Sequence, residues 1–214
     1  MGTIRNGANG GFSGKAGSII GSSWNNINYI KGLPKLSKKP ASQKQIEQRA
    51  RFAAVLAFMG PIKDLLLLGY KGQNAGRATG FNMGIQHAMT YALVGAYPDY
   101  EVDKSLVQIS KGTLTQPADV VITSTVAGSL DISWSDLKND LTAFGDDKML
   151  VLLYNETQNF FMAYTDAGLR GDGGTTLSIP DNFSGQVVHT YLFYIYREGT
   201  KQSPSTYVAP ITIV

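Results

Sequence analysis

The chain contains no cysteine. A disulfide-stapled fold, thiol catalysis and cysteine-ligated zinc are therefore excluded, although the absence does not fix the compartment. Histidine is nearly missing as well, with only His87 and His189 present. His87 falls among Met83, Met89 and Tyr91 in a stretch of helical spacing, and His189 lies beside Tyr191 in a strand-like run. Neither has the nucleophile or carboxylate pattern of a catalytic histidine, so both read as hydrogen-bonded structural residues. No apolar run approaches the roughly twenty residues of a bilayer span. The opening MGTIRNGANGGFSGK has neither an apolar stretch of signal-peptide length nor a small-residue cleavage site. The expectation is a soluble protein, cytoplasmic by default and without membrane insertion, able to reach a virion or extracellular assembly by a route independent of Sec.

Acidic residues are scarce at one end. Residues 1–51 carry nine Lys/Arg against the single acid Glu47, whereas residues 110–214 carry six against eleven. Such asymmetry points to a polyanion partner or to a complementary surface, including the acidic half of a neighbouring copy. What the chain does have is apolar material: 43% hydrophobic residues, with 11 Tyr and 9 Phe, over a length of 214. That suffices for a packed core in one large domain or two small ones, and argues against wholesale disorder.

Three zones follow from the patterning. Residues 1–40 form a Gly-, Asn- and Ser-rich basic arm holding two β-like runs, Ser18–Trp24 and Ile27–Lys31. Asn25-Asn26 between them tolerates a tight turn, so a hairpin is expected; a lone hairpin is marginal in water and needs something to pack on. Residues 41–104 read as helical. Ser42 with Gln45 fits a capping box, and Ile46, Arg49, Ala50, Ala53, Ala54, Ala57 and Phe58 recur at helical spacing. Gly60-Pro61 breaks that helix and opens a second through Leu68. Thr79 caps a third, carrying Phe81, Ile85, Met89 and Leu93 and ending at Tyr97-Pro98-Asp99. Residues 105–214 switch to a period of two, with strands expected at 120–123, 129–134, 148–155, 160–165, 175–179, 187–196 and 207–213. Short strands at this spacing without intervening helices are the pattern of a β-sandwich.

Within that last zone, Leu130-Asp131-Ile132-Ser133-Trp134, with an inward Trp, resembles the second strand of a fibronectin type III or related immunoglobulin-like domain. Val187 to Tyr194 resembles the long penultimate strand, and Ser203 to Tyr207 the approach to the last. Across the whole chain a second resemblance holds. Ser13-Gly14-Lys15-Ala16-Gly17-Ser18, Gly21-Ser22-Ser23-Trp24, Tyr29-Ile30-Lys31 and Gln45 to Phe52 resemble a family of uncharacterised proteins found in Bacteroidota. In that family a Gly-Lys-x-Gly hairpin precedes a Gln-x-x-x-Arg-x-x-Phe helix and a sandwich. The resemblance implies the architecture and carries no catalytic residues.

The stretch GGFSGKAGS invites a phosphate-loop reading, which fails on spacing. The first glycine would stand at position 9, which is Asn9; the hydroxyl after the lysine is missing, since Ala16 follows Lys15; and no buried strand leads in. Asp146-Asp147, Asp166 and Asp172 sit in turn-like stretches without the ligand spacing of a calcium loop and read as turn formers. Arg170-Gly171-Asp172 spells an adhesive tripeptide, but a turn explains its glycine equally well. Aromatics Phe160, Phe161 and Tyr164 suggest a sugar-binding module only as a fourth reading, behind an enzyme.

The expectation is an α+β protein: an N-terminal hairpin arm and small helical region, followed by an antiparallel immunoglobulin-like, fibronectin III-like β-sandwich. It is read as a non-enzymatic structural protein that self-associates into an oligomer, filament or phage-like assembly, with no catalytic residue, metal or cofactor. The candidate interface residues are Gly14, Lys15, Gly17, Trp24, Tyr29, Arg49 and Phe52. The alternative is a nucleic-acid-binding protein, with Lys31, Lys35, Lys38, Lys39, Lys44 and Arg51 as candidate polyanion-binding residues.

Overall fold

The computed structural model describes residues 2–3, 12–24, 27–35, 39–73 and 78–214. It divides into two compact units, Met1–Gln43 and Lys44–Val214.

The first unit is a four-stranded antiparallel sheet of β1 (Gly2–Thr3), β2 (Gly14–Ala16), β3 (Ile19–Trp24) and β4 (Ile27–Gly32), in the order β1-β4-β3-β2. The expected hairpin is its centre, with Trp24 opposite Ile27 at the closed end; the turn residues Asn25-Asn26 lie outside the described residues. Gly17 closes the β2–β3 turn at φ +58°, a conformation that a Cβ penalises. Among the described residues of this unit only Gly21 is buried.

The second unit begins with three helices, α1 (Gln43–Met59), α2 (Lys63–Gly69) and α3 (Gly80–His87). α1 starts directly after Ser42 and stops at Gly60-Pro61, as the sequence predicts, and α2 turns away from it by 87°. Thr79 caps α3, its side chain accepting a hydrogen bond from the Asn82 N–H at 3.3 Å. The third helix is shorter than its spacing predicts. After His87 the chain makes one π-turn, Ala88–Ala92, and then a hairpin of β5 (Leu93–Ala96) and β6 (Asp99–Val102) around the cis Tyr97–Pro98 bond. Leu93, which continues the helical spacing, pairs with Val102 instead. Among the described residues no single helix is long and apolar enough to cross a membrane.

Seven strands complete the unit: β7 (Val121–Thr123), β8 (Ser129–Ser133), β9 (Lys148–Asn155), β10 (Phe160–Leu169), β11 (Gly174–Ser178), β12 (Val187–Ile195) and β13 (Thr206–Thr212). They form an antiparallel sandwich of a three-stranded sheet, β11-β8-β7, and a four-stranded sheet, β10-β9-β12-β13. This is a fibronectin type III-like arrangement, and the strand positions match those expected to within a few residues.

The two central strands of the four-stranded sheet, β9 and β12, are buried on both faces. Met149, Val151, Leu153, Leu192 and Tyr194 face Leu130, Ile132, Trp134 and Leu177 of the three-stranded sheet. Leu150, Leu152, Tyr154, Tyr191 and Phe193 face the helices, where Val55, Phe58, Met59, Leu65 and Leu66 meet them. Phe58 packs edge-on against Tyr154 and Phe161 at centroid distances of 5.0 and 5.1 Å. The helical zone and the sandwich thus share one of their cores, and the unit has three layers rather than two. α3 lies close over α2 because Gly80 leaves room: a Cβ there would come within 2.6 Å of the Leu66 carbonyl.

A buried ion pair locks the end of the sandwich. Arg170 Nε donates to Asp147 Oδ2 at 3.0 Å, with the two side chains 1% and 0% exposed. The guanidinium also donates to the Thr115 carbonyl at 2.9 Å and lies 3.8 Å over the Tyr194 ring, while Trp134 Nε1 donates to the Arg170 carbonyl at 3.0 Å.

Candidate assembly surface

Strand register decides what the first unit presents. Directly opposed residues of an antiparallel pair share a face, and so do residues two apart on one strand. Lys15 opposes Ile20, and Ile20 opposes Lys31; Ser22 opposes Tyr29; Trp24 opposes Ile27. One face therefore carries Lys15, Ile20, Ser22, Trp24, Ile27, Tyr29 and Lys31. Four of these, Lys15, Trp24, Tyr29 and Lys31, were singled out from the sequence. Ile27 shares a side with Tyr29 and Lys31 by alternation along the second run, as the sequence predicts, and the β3–β4 register adds Ile20. Trp24 is 44% exposed and Ile27 50%.

The opposite face carries Gly14, Ala16, Ile19, Gly21, Ser23, Asn28, Ile30 and Gly32. It is filled at its middle by Phe12, since a Cβ on Gly21 would run into the Phe12 backbone oxygen and ring. The sheet thus has one side where glycine admits an aromatic and one side that is apolar in the centre with lysine at the rim. Gly14 and Gly17 take part through the backbone, at φ +108° and +58°.

Arg49 and Phe52 belong to the other unit. Both are exposed on α1, and Phe52 lines a shallow groove with Gln48, Arg51, Asn82, Ile85 and Met89. Arg49 does not line it. Of the candidate polyanion-binding residues, Lys31 belongs to the sheet face above. Lys35 and Lys39 are exposed between β4 and α1, Lys44 is exposed in the first turn of α1, and Arg51 is half-buried at the groove. Lys38 lies outside the described residues. The sequence of the first unit holds six Lys/Arg and no Asp or Glu, and that of the second holds thirteen against sixteen.

The other motifs have structural occupations. Gly14-Lys15 sits in an edge strand followed by another strand, not before a helix, so no helix N-terminus meets it. Arg170 of the Arg-Gly-Asp tripeptide is buried against Asp147, and Asp172 Oδ2 accepts the Leu169 N–H at 2.7 Å, so the tripeptide is not displayed. Asp146 pairs with Arg197 at 2.7 Å and Asp166 with Lys148 at 3.4 Å. Among the described residues no three His, Asp or Glu side chains converge on one point. His189 Nδ1 meets the Tyr207 hydroxyl at 2.9 Å, and its Nε2 lies 3.5 Å from Glu156. Lys104 Nζ donates to Glu156 at 2.8 Å and holds that carboxyl below its ordinary range. Alternation along β10 sends Phe161 to the helix side and Phe160 and Tyr164 to the other, so the three make no single sugar platform.

A protein-family profile described as a family of unknown function (DUF6266) matches residues 11–209. No curated protein matches the chain. Solved structures that resemble it include the fn3 domain of human collagen alpha-1(XX) chain, at 14% identity over 47% of this chain and 86% of that one, with a TM-score of 0.35. The FN5 domain of Drosophila Lar resembles it at 12% identity over 45% and 92%, with a TM-score of 0.28.

Proposed function

The chain belongs to the DUF6266 family of unknown function, and from that premise we propose that it is a non-enzymatic structural subunit whose N-terminal sheet docks on another copy. The observation that carries this reading is how little of the first unit is buried among its described residues. Ordering a residue costs about 1–2 kcal/mol of backbone entropy, which buried apolar area must offset. A sheet of short strands with Gly21 as the one buried described residue has little to offset it with. It does have an unused face of Ile20, Trp24, Ile27 and Tyr29.

Seating that face on a partner supplies the missing burial. Trp24 and Tyr29 are the anchors, as aromatic residues at interface centres commonly are, and Lys15 and Lys31 form the rim. Charge selects the partner surface, because a first unit without acids meets a second unit with an acidic balance. The exposed edge of β2 adds backbone hydrogen bonds if a strand lines up beside it. Repeated head to tail, such a contact closes into a ring or runs on as a filament.

The test is mass by light scattering on the full chain and on a chain lacking residues 1–32, each at low and high salt. The expected result is a defined oligomer or filament for the full chain and a folded monomer for the shortened one. A monomeric full chain at both salt levels overturns the proposal. Binding of a single-stranded oligonucleotide without self-association replaces it with the nucleic-acid reading.

A further inference from the structure

The end of α3 is irregular. π-turns are rare and recur at functional sites, and this one, Ala88–Ala92, places Tyr91 against His87 with ring centroids 4.7 Å apart. The Thr90 hydroxyl donates back to the Gln86 carbonyl at 2.8 Å, which consumes its donor within the helix. Between these residues, the end of α2 and the segment leading away from it lies a cavity of about 250 Å³. Tyr70, Met83 and Tyr91 contribute its apolar lining, and Gln86, His87 and Lys111 contribute polar groups.

The cavity is built on fixed parts. The Lys111 N–H donates to the Gly69 carbonyl at 3.0 Å and the Tyr70 hydroxyl donates to the Gln108 carbonyl at 2.9 Å, so the segment bearing Lys111 is tied to α2. Gly69 lets that segment approach, since a Cβ would meet the Ile109 carbonyl. The charge in the cavity is one-sided. No Asp or Glu lines it, and Lys111 makes no ion pair with a described carboxylate. The titratable groups facing His87 are Lys111, Tyr70 and Tyr91. Burial, and then the Lys111 charge, holds the His87 imidazole below its ordinary 6.5. His87 Nδ1 is buried without a hydrogen-bond partner among the described residues. His189, by contrast, has both ring nitrogens engaged.

We propose that this cavity binds a small organic carboxylate, its anionic end between Lys111 and His87 and a compact apolar body against Tyr70, Met83 and Tyr91. A carboxylate there supplies the counter-charge that Lys111 lacks and makes the protonated imidazole favourable again. The site is independent of the assembly surface, because none of its residues lies in the N-terminal sheet.

With only two histidines in the chain, a proton NMR titration reads the site directly. Benzoate is the probe, acetate is the control without an apolar body, and inorganic phosphate is the control of different charge geometry. Benzoate is expected to shift the His87 ring resonances saturably and to raise the His87 pKa, leaving His189 unmoved. Lys111→Met should weaken benzoate about tenfold or more, and acetate should bind more weakly than benzoate. Tyr91→Ala should weaken benzoate and leave acetate unchanged. No saturable shift, equal affinity in Lys111→Met, or phosphate binding tighter than benzoate overturns the proposal.

Discussion

The two units use β-structure in opposite ways. In the second, β9 and β12 are packed from both sides, and after Lys148 and Val187 every residue along them is buried. In the first, β3 and β4 have one face partly filled by Phe12 and the other half-buried to exposed among the described residues. Hydrogen-bonded ladders exist in both, so ladders do not distinguish a self-sufficient fold from a dependent one. Burial does, because net hydrogen-bond gain is small beside the apolar area removed from water.

The sharpest way to break this comparison is to separate the units. Residues 44–214 should unfold cooperatively on their own, whereas a peptide of residues 1–43 should show no strand signal by circular dichroism. A folded peptide would mean that the first unit owns a core. Next in size is Arg170→Met. Removing the guanidinium leaves Asp147 buried without its charge partner, and about 3–5 kcal/mol of stability should go, read as a lower urea midpoint. Little change would mean that packing, not the ion pair, holds that end of the sandwich. A smaller effect on stability is expected from Trp24→Ala: the urea midpoint of the second unit should correspond to a change within about 0.5 kcal/mol, while self-association is lost.

The smallest effect is that of pH. Lys104 lowers the Glu156 carboxyl in the fold, so the pair adds stability above the unfolded value of 4.5, and that stability is lost as pH falls through the lower folded value. Glu156 is half-exposed, which limits the gain to about 1 kcal/mol or less. His87 acts in the same direction: it is kept neutral in the fold, so the unfolded chain takes up the proton first as pH drops below 6.5. The difference in urea midpoint between the wild type and Glu156→Gln should therefore shrink on acidification. A difference independent of pH would remove Glu156 from the account.

Much of the sandwich was legible because its strands announce themselves. Ser129–Ser133 alternates, and Ala127-Gly128 marks the turn before it. The strand β10 runs four residues past its expected end because a bulge between Tyr164 and Gly168 resets the register, which no local pattern encodes. The helix ending at His87 was over-extended because Met89 and Leu93 keep the four-residue spacing while Gly95, at φ +87°, serves a hairpin. The helical cover was signalled without being read: Met149 to Tyr154 is an unbroken apolar run, and such runs mark strands buried on both faces. At the candidate assembly surface, alternation alone placed Ile27, Tyr29 and Lys31 together, whereas joining them to Lys15 needed the β2–β3 and β3–β4 registers. The groove beside Phe52 depends on how α1 crosses α3, which sequence spacing cannot supply.

The helical cover also settles where the chain can be cut. Anyone isolating the fibronectin-like part would be drawn to trim just before residue 105. Leu150, Leu152, Tyr191 and Phe193 would then lose their lid, and a broad greasy panel would face the solvent. A fragment beginning at Lys44 keeps that panel closed and is the shortest piece worth expressing.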